Sequence, residues 1–322
     1  MYPFLFKPIL KEIIWGGTAI RSFKGMAPND VKTGESWELS QVEGNYSVVA
    51  NGALEGKTID ELIEQFGAKL LGGKVIRQFG ATFPLLIKFI DAHDNLSIQV
   101  HPGDVLAQAH HRSFGKTEMW YVVKAAPGAS LYSGFSQSID MNEYVRRIAD
   151  GSIIDVLQRY EVNEGDVFFL PAGRIHAICA GCFIAEIQQT SDITYRIYDY
   201  NRKDANGNSR ELHTGLAKDA IDYTVYPDYR TAYHPAPNKI VPLVQCKYFT
   251  TNLLELDMPK ERDYAEMDSF IIYMCIGGKA ILQDNNHNEL TMNQGETVLI
   301  PAETQSMTIT PEPQTKLLET YI

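Results

Sequence analysis

"NEGDVFFLPAGRIHAI" (163–178) and "NQGETVLIPAETQSMT" (293–308) decide how this chain is read. Each runs Asn, any residue, Gly, an acid, four residues that are apolar or Thr, then Pro-Ala. A constant offset of 130 (293 − 163) relates them. The glycine marks a turn, the apolar run a buried strand, and the proline a strand end. Two copies of one strand unit, this far apart, point to a duplicated β architecture. At the same offset His176 stands opposite Ser306, so the first copy alone carries the imidazole.

The surroundings fit that reading. "FPLLIKFIDA", "NLSIQVHP", "TEMWYVVKA", "GASLYSGF" and "CFIAEIQQTS" are rich in β-branched and aromatic residues, with Gly, Pro and Asp-Asn punctuation between them. Two segments depart. "TIDELIEQFGAKLLG" (58–72) has helical apolar spacing behind a Thr cap, and "DMNEYVRRIADGSIIDVLQRY" (140–160) reads as two short helices around Gly151. Residues 227–242 carry four prolines without periodicity and read as a linker. The expectation is a mainly β chain of two jelly-roll units. The first spans 1–237, with helical insertions near 53–80 and 138–160. The second, smaller unit spans 238–322.

Bulk properties narrow the function. At 322 residues the chain suits two domains of about 150 residues each. A net charge of −11 argues against a nucleic-acid or anionic-membrane partner, but a local cationic cleft can still take a small anion. "MYPFLFKPILKEIIWGG" lacks the features of a signal peptide, and no stretch has the length of a membrane-spanning helix. Four cysteines suggest no disulfide framework, so a cytoplasmic protein is expected. "CAGC" (179–182) has no second pair and reads as two buried free thiols. Nothing in the sequence sets the number of subunits.

The pattern G-[DE]-x4-P-A-x3-H resembles the second motif of the cupin jelly roll, which implies an upstream histidine pair, or a relative of it, plus a glutamate. "NLSIQVHPGD" (95–104) supplies candidates. Period two puts Ser97, Gln99 and His101 on one face and Leu96, Ile98 and Val100 on the other. In "GKTEMWYVV" (115–123), Glu118, Trp120 and Val122 share a face. A carboxylate inside such a strand is costly unless paired or metal-bound. Gln99, His101, Glu118 and His176 form a set of two nitrogen and two oxygen donors that suits Zn²⁺ at about 2.0–2.2 Å. Mn²⁺, Fe²⁺ and Co²⁺ stay open on donor type. One such histidine alone is ordinarily a hydrogen-bonded core residue; four donors in this order argue for a metal.

"KEIIWGG" (11–17), "GESWELS" (34–40), "PLLIKFIDA" (84–92), "LSIQVHPGD" (96–104), "GKTEMWYV" (115–122), "PAGRIHAI" (171–178) and "TYRIYDYNR" (194–202) together resemble type I mannose-6-phosphate isomerase in its short bacterial form. The resemblance runs in order to about residue 215, and the second unit matches as a general pattern. It implies interconversion of mannose 6-phosphate and fructose 6-phosphate through a cis-enediol. It implies that Gln99, His101, Glu118 and His176 hold zinc, that Arg196 is the active-site arginine, and that Lys88 and Lys116 are the active-site lysines. Lys116 is a candidate base if burial and nearby cations lower its pKa, with metal-adjacent water or a carboxylate as alternatives. Lys88, Ser97 and Arg202 are candidates for phosphate or hydroxyl contacts.

The chain departs from longer members in two places. The stretch between Glu118 and His176 is too short for their large helical domain, and Thr117 stands where Pro is common. Competing readings are a cupin oxygenase and a sugar-binding module without isomerase activity. At single residues, Arg196 has Asp199 as an alternative ion-pair partner, and Arg174 reads as a surface residue. His110 and His111 read as an exposed turn, and His213 as a support behind the site.

Overall fold

The structure, a computed structural model, describes residues 1–203 and 206–322. Its first half is a sandwich of two antiparallel sheets. One has six strands in the order Val167–Leu170, Glu118–Ala125, Cys182–Gln189, Leu85–Ala92, Ile9–Gly17, Thr33–Leu39. The other has five, in the order Leu157–Glu161, Ser130–Phe135, His176–Ile178, Ile98–Val100, Tyr195–Tyr198. The mainly β expectation holds.

Strand alternation fills three layers. From Glu118–Ala125, Trp120 and Val122 point between the sheets, where they meet Trp15, Ile90, Leu131, Phe168, Ile178 and Ile184. Met119, Tyr121 and Val123 point the other way, onto the helices carrying Leu62, Leu70 and Val75 and onto Ile272, Met274 and Leu318 of the second unit. Ile98 and Val100 leave the interior and pack under Tyr144 and Ala217. Leu96 breaks the expected alternation. It precedes the strand, joins the inner cluster and lines the cavity between the sheets.

The helical segments form with local reasons. Ile59–Phe66 starts at Thr58, whose N–H donates to Glu61 Oε2 at 2.8 Å. Met141–Asp150 starts at Asp140, whose carboxylate accepts the Glu143 N–H at 2.7 Å, and ends at Gly151 in a left-handed cap. The second helix expected after Gly151 shrinks to a 3₁₀ turn at Ile153–Val156. Leu157–Glu161 is instead an edge strand on Ser130–Phe135. Two further helices, Asp104–His111 and Thr214–Ala220, lacked a readable pattern; each is short and buries one alanine.

The second half contributes seven strands to a nine-stranded sheet, completed by Phe4–Lys7 and Val48–Val49 and curled around a core of Leu254, Ile271, Tyr273, Leu282, Ile300 and Leu317. "SMTITP" and "TKLLETYI" are one strand, Ser306–Tyr321, paired along most of its length with Ile271–Asp284. The proline-rich segment gives way to strand at Ile240–Gln245, where Pro242 is tolerated because the strand lies at the sheet edge. The N-terminal strand Phe4–Lys7 pairs with Thr297–Ile300 of this second sheet, so the ends of the chain are stitched together. Among the described residues no helix is long and apolar enough to cross a membrane.

Candidate metal centre and active site

The duplicated motif forms a strand in both copies up to the proline, at the edge of its sheet in the first and between two strands in the second. Val167–Leu170 and Thr297–Ile300 are buried strands, each ended by Pro-Ala. The copies then diverge. His176 opens a short inner strand and is buried, whereas Ser306 opens the long strand and is exposed.

Strand pairing delivers the donors to one point. His176 is register partner of Gln99, and Glu118 enters from the opposite sheet. His176 Nε2 lies 3.2 Å from Glu118 Oε1, and His101 Nε2 lies 3.5 Å from Glu118 Oε2. Ligand atoms of His101, Glu118 and His176 all fall within 4.8 Å of one another. The outer atom of the Gln99 amide is 3.3 Å from His176 Nε2, so that amide shares the focus. Its oxygen and nitrogen are exchangeable by a flip, which turns the carbonyl inward.

Both imidazoles are fixed from behind. His101 Nδ1–H donates to the Ile193 carbonyl at 2.9 Å, and His176 Nδ1–H to the Arg174 carbonyl at 2.8 Å. Each Nε2 therefore carries a lone pair aimed at Glu118. Burial, then Lys116, holds His101 well below its ordinary value; burial pushes His176 down to about 4. The rings are neutral. Burial, then the Glu186 carboxylate, pushes Glu118 up to about 8. His101 Nε2 and both Glu118 oxygens are buried with no hydrogen-bond partner. Once Glu118 is ionised acceptor faces acceptor, an arrangement that a divalent cation relieves. The residues present fit a metal.

A cavity of about 210 Å³ opens beside these donors, lined by Lys88, Lys116, Ser97, Gln99, Trp120 and Arg196 among others. Four of the expected contacts thus meet the same space: Lys88, Lys116, Ser97 and Arg196. Arg202 does not line it. Arg202 Nη2 pairs with Asp199 Oδ1 at 2.5 Å and its guanidinium also reaches the Asn95 carbonyl. The pairing of Arg196 with Asp199 weighed from sequence is not formed, because Arg202 and Arg210 occupy that carboxylate. Arg196 Nη1 donates instead to the Glu211 carbonyl at 2.8 Å, and its Nε is buried without a partner. His213 does stand behind it: His213 Nδ1 accepts the Arg196 N–H at 3.2 Å, and His213 N–H donates to the Arg196 carbonyl at 2.7 Å.

The two lysines have opposite electrostatics. Burial works against the charge of Lys88, but Glu35 at 3.7 Å and Glu186 at 3.2 Å raise it above the ordinary lysine value. Lys116 is held below that value, first by burial and then by the Lys88 ammonium. Lys88 is a fixed cation in the middle of a sheet; Lys116 gives up a proton more easily.

Sequence reading missed three charged cavity residues: Glu35, Glu186 and Arg210. Glu186 was findable, as a carboxylate facing inward from "CFIAEIQQ", and Trp120 Nε1 donates to it at 2.8 Å. Arg210 has no local signal. Arg174 corrects the surface expectation: its guanidinium is buried over the rings of Tyr226 (4.7 Å) and Tyr229 (4.3 Å), which the following segment lays across it. His110 and His111 lie outside the cavity, at the exposed end of Asp104–His111. Cys179 and Cys182 are buried free thiols, Cys182 pushed up to about 12 by burial. A larger groove of about 470 Å³ near Glu164, Glu255 and Lys316 faces no comparable donor set, and its charges pair with each other.

Comparison with known proteins adds independent information. Residues 4–120 match the family model for the type I phosphomannose isomerase catalytic domain, and residues 239–319 that for the mannose-6-phosphate isomerase cupin domain. Mannose-6-phosphate isomerase ManA of Bacillus subtilis is 34% identical over 93% of this chain and 93% of its own length. The mannose-6-phosphate isomerase of Streptococcus mutans is 38% identical over 68% of this chain and 67% of its own. A crystal structure of the Bacillus subtilis mannose 6-phosphate isomerase superposes with a TM-score of 0.90 at 33% identity, covering all of both chains.

Proposed function

Because this chain belongs to the type I mannose-6-phosphate isomerase family, a family of metal-dependent enzymes, we propose that it interconverts mannose 6-phosphate and fructose 6-phosphate at the cavity beside His101, Glu118 and His176. The observation that carries this is the unpartnered donor set opening onto a small cavity that also holds Lys88, Lys116, Arg196 and Arg210. Such a cluster of cations suits a phosphorylated polyol. The oxygenase and sugar-binding readings are not favoured.

Gln99, His101, Glu118 and His176 would hold one Zn²⁺, an ion that suits this donor mixture. Bound there, it would act as a Lewis acid on the sugar's carbonyl end. The isomerisation moves one carbon-bound proton between C2 and C1 and one hydroxyl proton between O2 and O1, through a cis-enediol. Lys116 is our candidate to carry the carbon-bound proton, since its neutral form is the more accessible of the two lysines. Lys88 stays charged and binds oxygen. Arg196 keeps its charge throughout, so it stabilises a developing oxyanion or the phosphate rather than moving a proton. Arg210 adds a second guanidinium at that end, while Ser97 offers a hydroxyl. Arg202 acts one step back, sharing Asp199 with Arg210. Four free thiols accord with a cytoplasmic setting. The units divide the work, with 1–237 catalytic and 238–322 without metal ligands.

The test is a coupled assay with mannose 6-phosphate, with and without a chelator. Turnover that chelator abolishes and Zn²⁺ restores is expected. A metal-loaded sample that does not isomerise this substrate would sink the reading.

A further inference from the structure

The loop 115–117 places Lys116 in the cavity and leads into Glu118 beside it, yet it borrows much of its shape from elsewhere. Gly115 N–H donates to Asp104 Oδ1 at 3.0 Å, and so does Gln189 Nε2–H, also at 3.0 Å. Gln189 Oε1 accepts the Thr117 N–H at 2.8 Å, and the Gln189 N–H donates to the Thr117 carbonyl at 3.1 Å. Gly115 is required at this approach, because a Cβ there would lie 2.6 Å from the Asp104 nitrogen. Asp104 therefore anchors the loop directly and through Gln189. Its other oxygen, Oδ2, accepts the Tyr248 hydroxyl at 2.7 Å, from the turn between the strands Ile240–Gln245 and Thr250–Leu256 of the second unit.

We propose that Tyr248 is a positioning residue for catalysis: the second unit holds the loop that carries Lys116 and leads into Glu118 through Asp104 and Gln189. This rests on the isomerase reading above. The phenol donates to an ionised carboxylate, a short charge-assisted bond that fixes the plane in which Oδ1 meets Gly115 and Gln189. Without it the carboxylate rotates, and the two contacts that depend on Asp104 loosen together, while the Lys116 N–H stays on the Pro102 carbonyl at 3.1 Å. The tyrosine ring packs on the core between the units, so a phenylalanine retains packing and removes the hydroxyl alone. Lys247, 3.7 Å from Asp104 but 72% exposed, supplies a screened charge and no comparable constraint.

The experiment is Tyr248→Phe in the metal-loaded chain, with Lys247→Met as control. Amide exchange across 113–118 speeds by about tenfold, because Gly115 and Thr117 lose their fixed acceptors. The kcat falls by about tenfold while KM stays within about twofold, since geometry at the reacting end is disturbed more than binding. Asp104→Asn reproduces both effects, and the double variant is no slower than Asp104→Asn alone, as expected for one pathway. Unchanged exchange, unchanged kcat, or losses that multiply in the double variant would each overturn the proposal. If the wild-type chain does not turn over mannose 6-phosphate, the isomerase reading fails, and the exchange measurement alone decides the clamp.

Discussion

Glu118 and Glu319 are both buried carboxylates pointing into the β units, and they live in opposite circumstances. Glu319 is saturated. Arg262 grips it with two bonds of 2.7 and 2.8 Å, and Tyr273 (2.8 Å), Tyr264 (3.1 Å) and Asn252 (3.0 Å) donate as well. Glu118 has no hydrogen-bond donor, and its neighbours are two neutral imidazoles that present lone pairs. The same architecture thus buries one carboxylate that closes on itself and one carboxyl that is left open. A closed set stabilises its own unit, whereas an open set has its missing charge supplied from outside.

The strongest way to break this contrast is to remove a donor from the open set. His176→Ala is expected to cost more than about a hundredfold in metal affinity, with activity lost in parallel. Metal analysis and circular dichroism on the same sample check it: the metal goes and the fold stays. Full metal retention would place the ion elsewhere.

Arg196→Ala probes the same cavity without touching a donor. It is expected to keep metal and fold and to lose about 10²–10³ in kcat, the usual cost of removing a group that meets developing charge. Steady-state kinetics at saturating metal check this. A near-normal rate would return Arg196 to a structural role beside His213 and Glu211.

The mirror experiment is Glu319→Ala. Breaking a buried, bonded ion pair by removing one partner costs about 3–5 kcal/mol, here because the Arg262 charge and two tyrosine hydroxyls lose their acceptor. Chemical denaturation reads the cost. Metal content and KM should not move. A drop in bound metal would mean that the two units share the ion, contrary to the contrast drawn above.

How much of this was legible in the sequence follows from which signals are local. Period two in "LSIQVHP" and "TEMWYVV" placed Gln99, His101 and Glu118 on inward faces, because alternation is a property of the strand alone. The Pro-Ala end likewise located His176. Glu35 escaped because only its register opposite Ile90, on a distant strand, puts it in the cavity, and Arg210 because it lies in an irregular segment held there by Asp199. Leu157–Glu161 looked helical because "IIDVLQRY" has helix-compatible spacing, yet pairing with Ser130–Phe135 outweighed it. The strand Phe4–Lys7 found its partner near the opposite end of the chain, a contact no local window contains. Arg174 misled because its covering rings, Tyr226 and Tyr229, lie far downstream, beyond three further strands and a helix.

The smallest expected effect is the sharpest on the duplication. Ser306→His restores the missing histidine at the position equivalent to His176 in the second copy. If the imidazole alone made the site, this variant would gain a metal. It should not. Ser306 is exposed at the start of its strand, opposite Asp263, whereas His176 is buried opposite Gln99. The second unit's inward carboxylate is already saturated, so no open donor waits for a partner. Stability should change by no more than about 0.5 kcal/mol, as for an ordinary surface substitution, and bound metal should remain at the wild-type stoichiometry. A second equivalent of metal in Ser306→His would show that the second unit lacks one ligand rather than the whole set, and that Glu319 can be drawn away from Arg262.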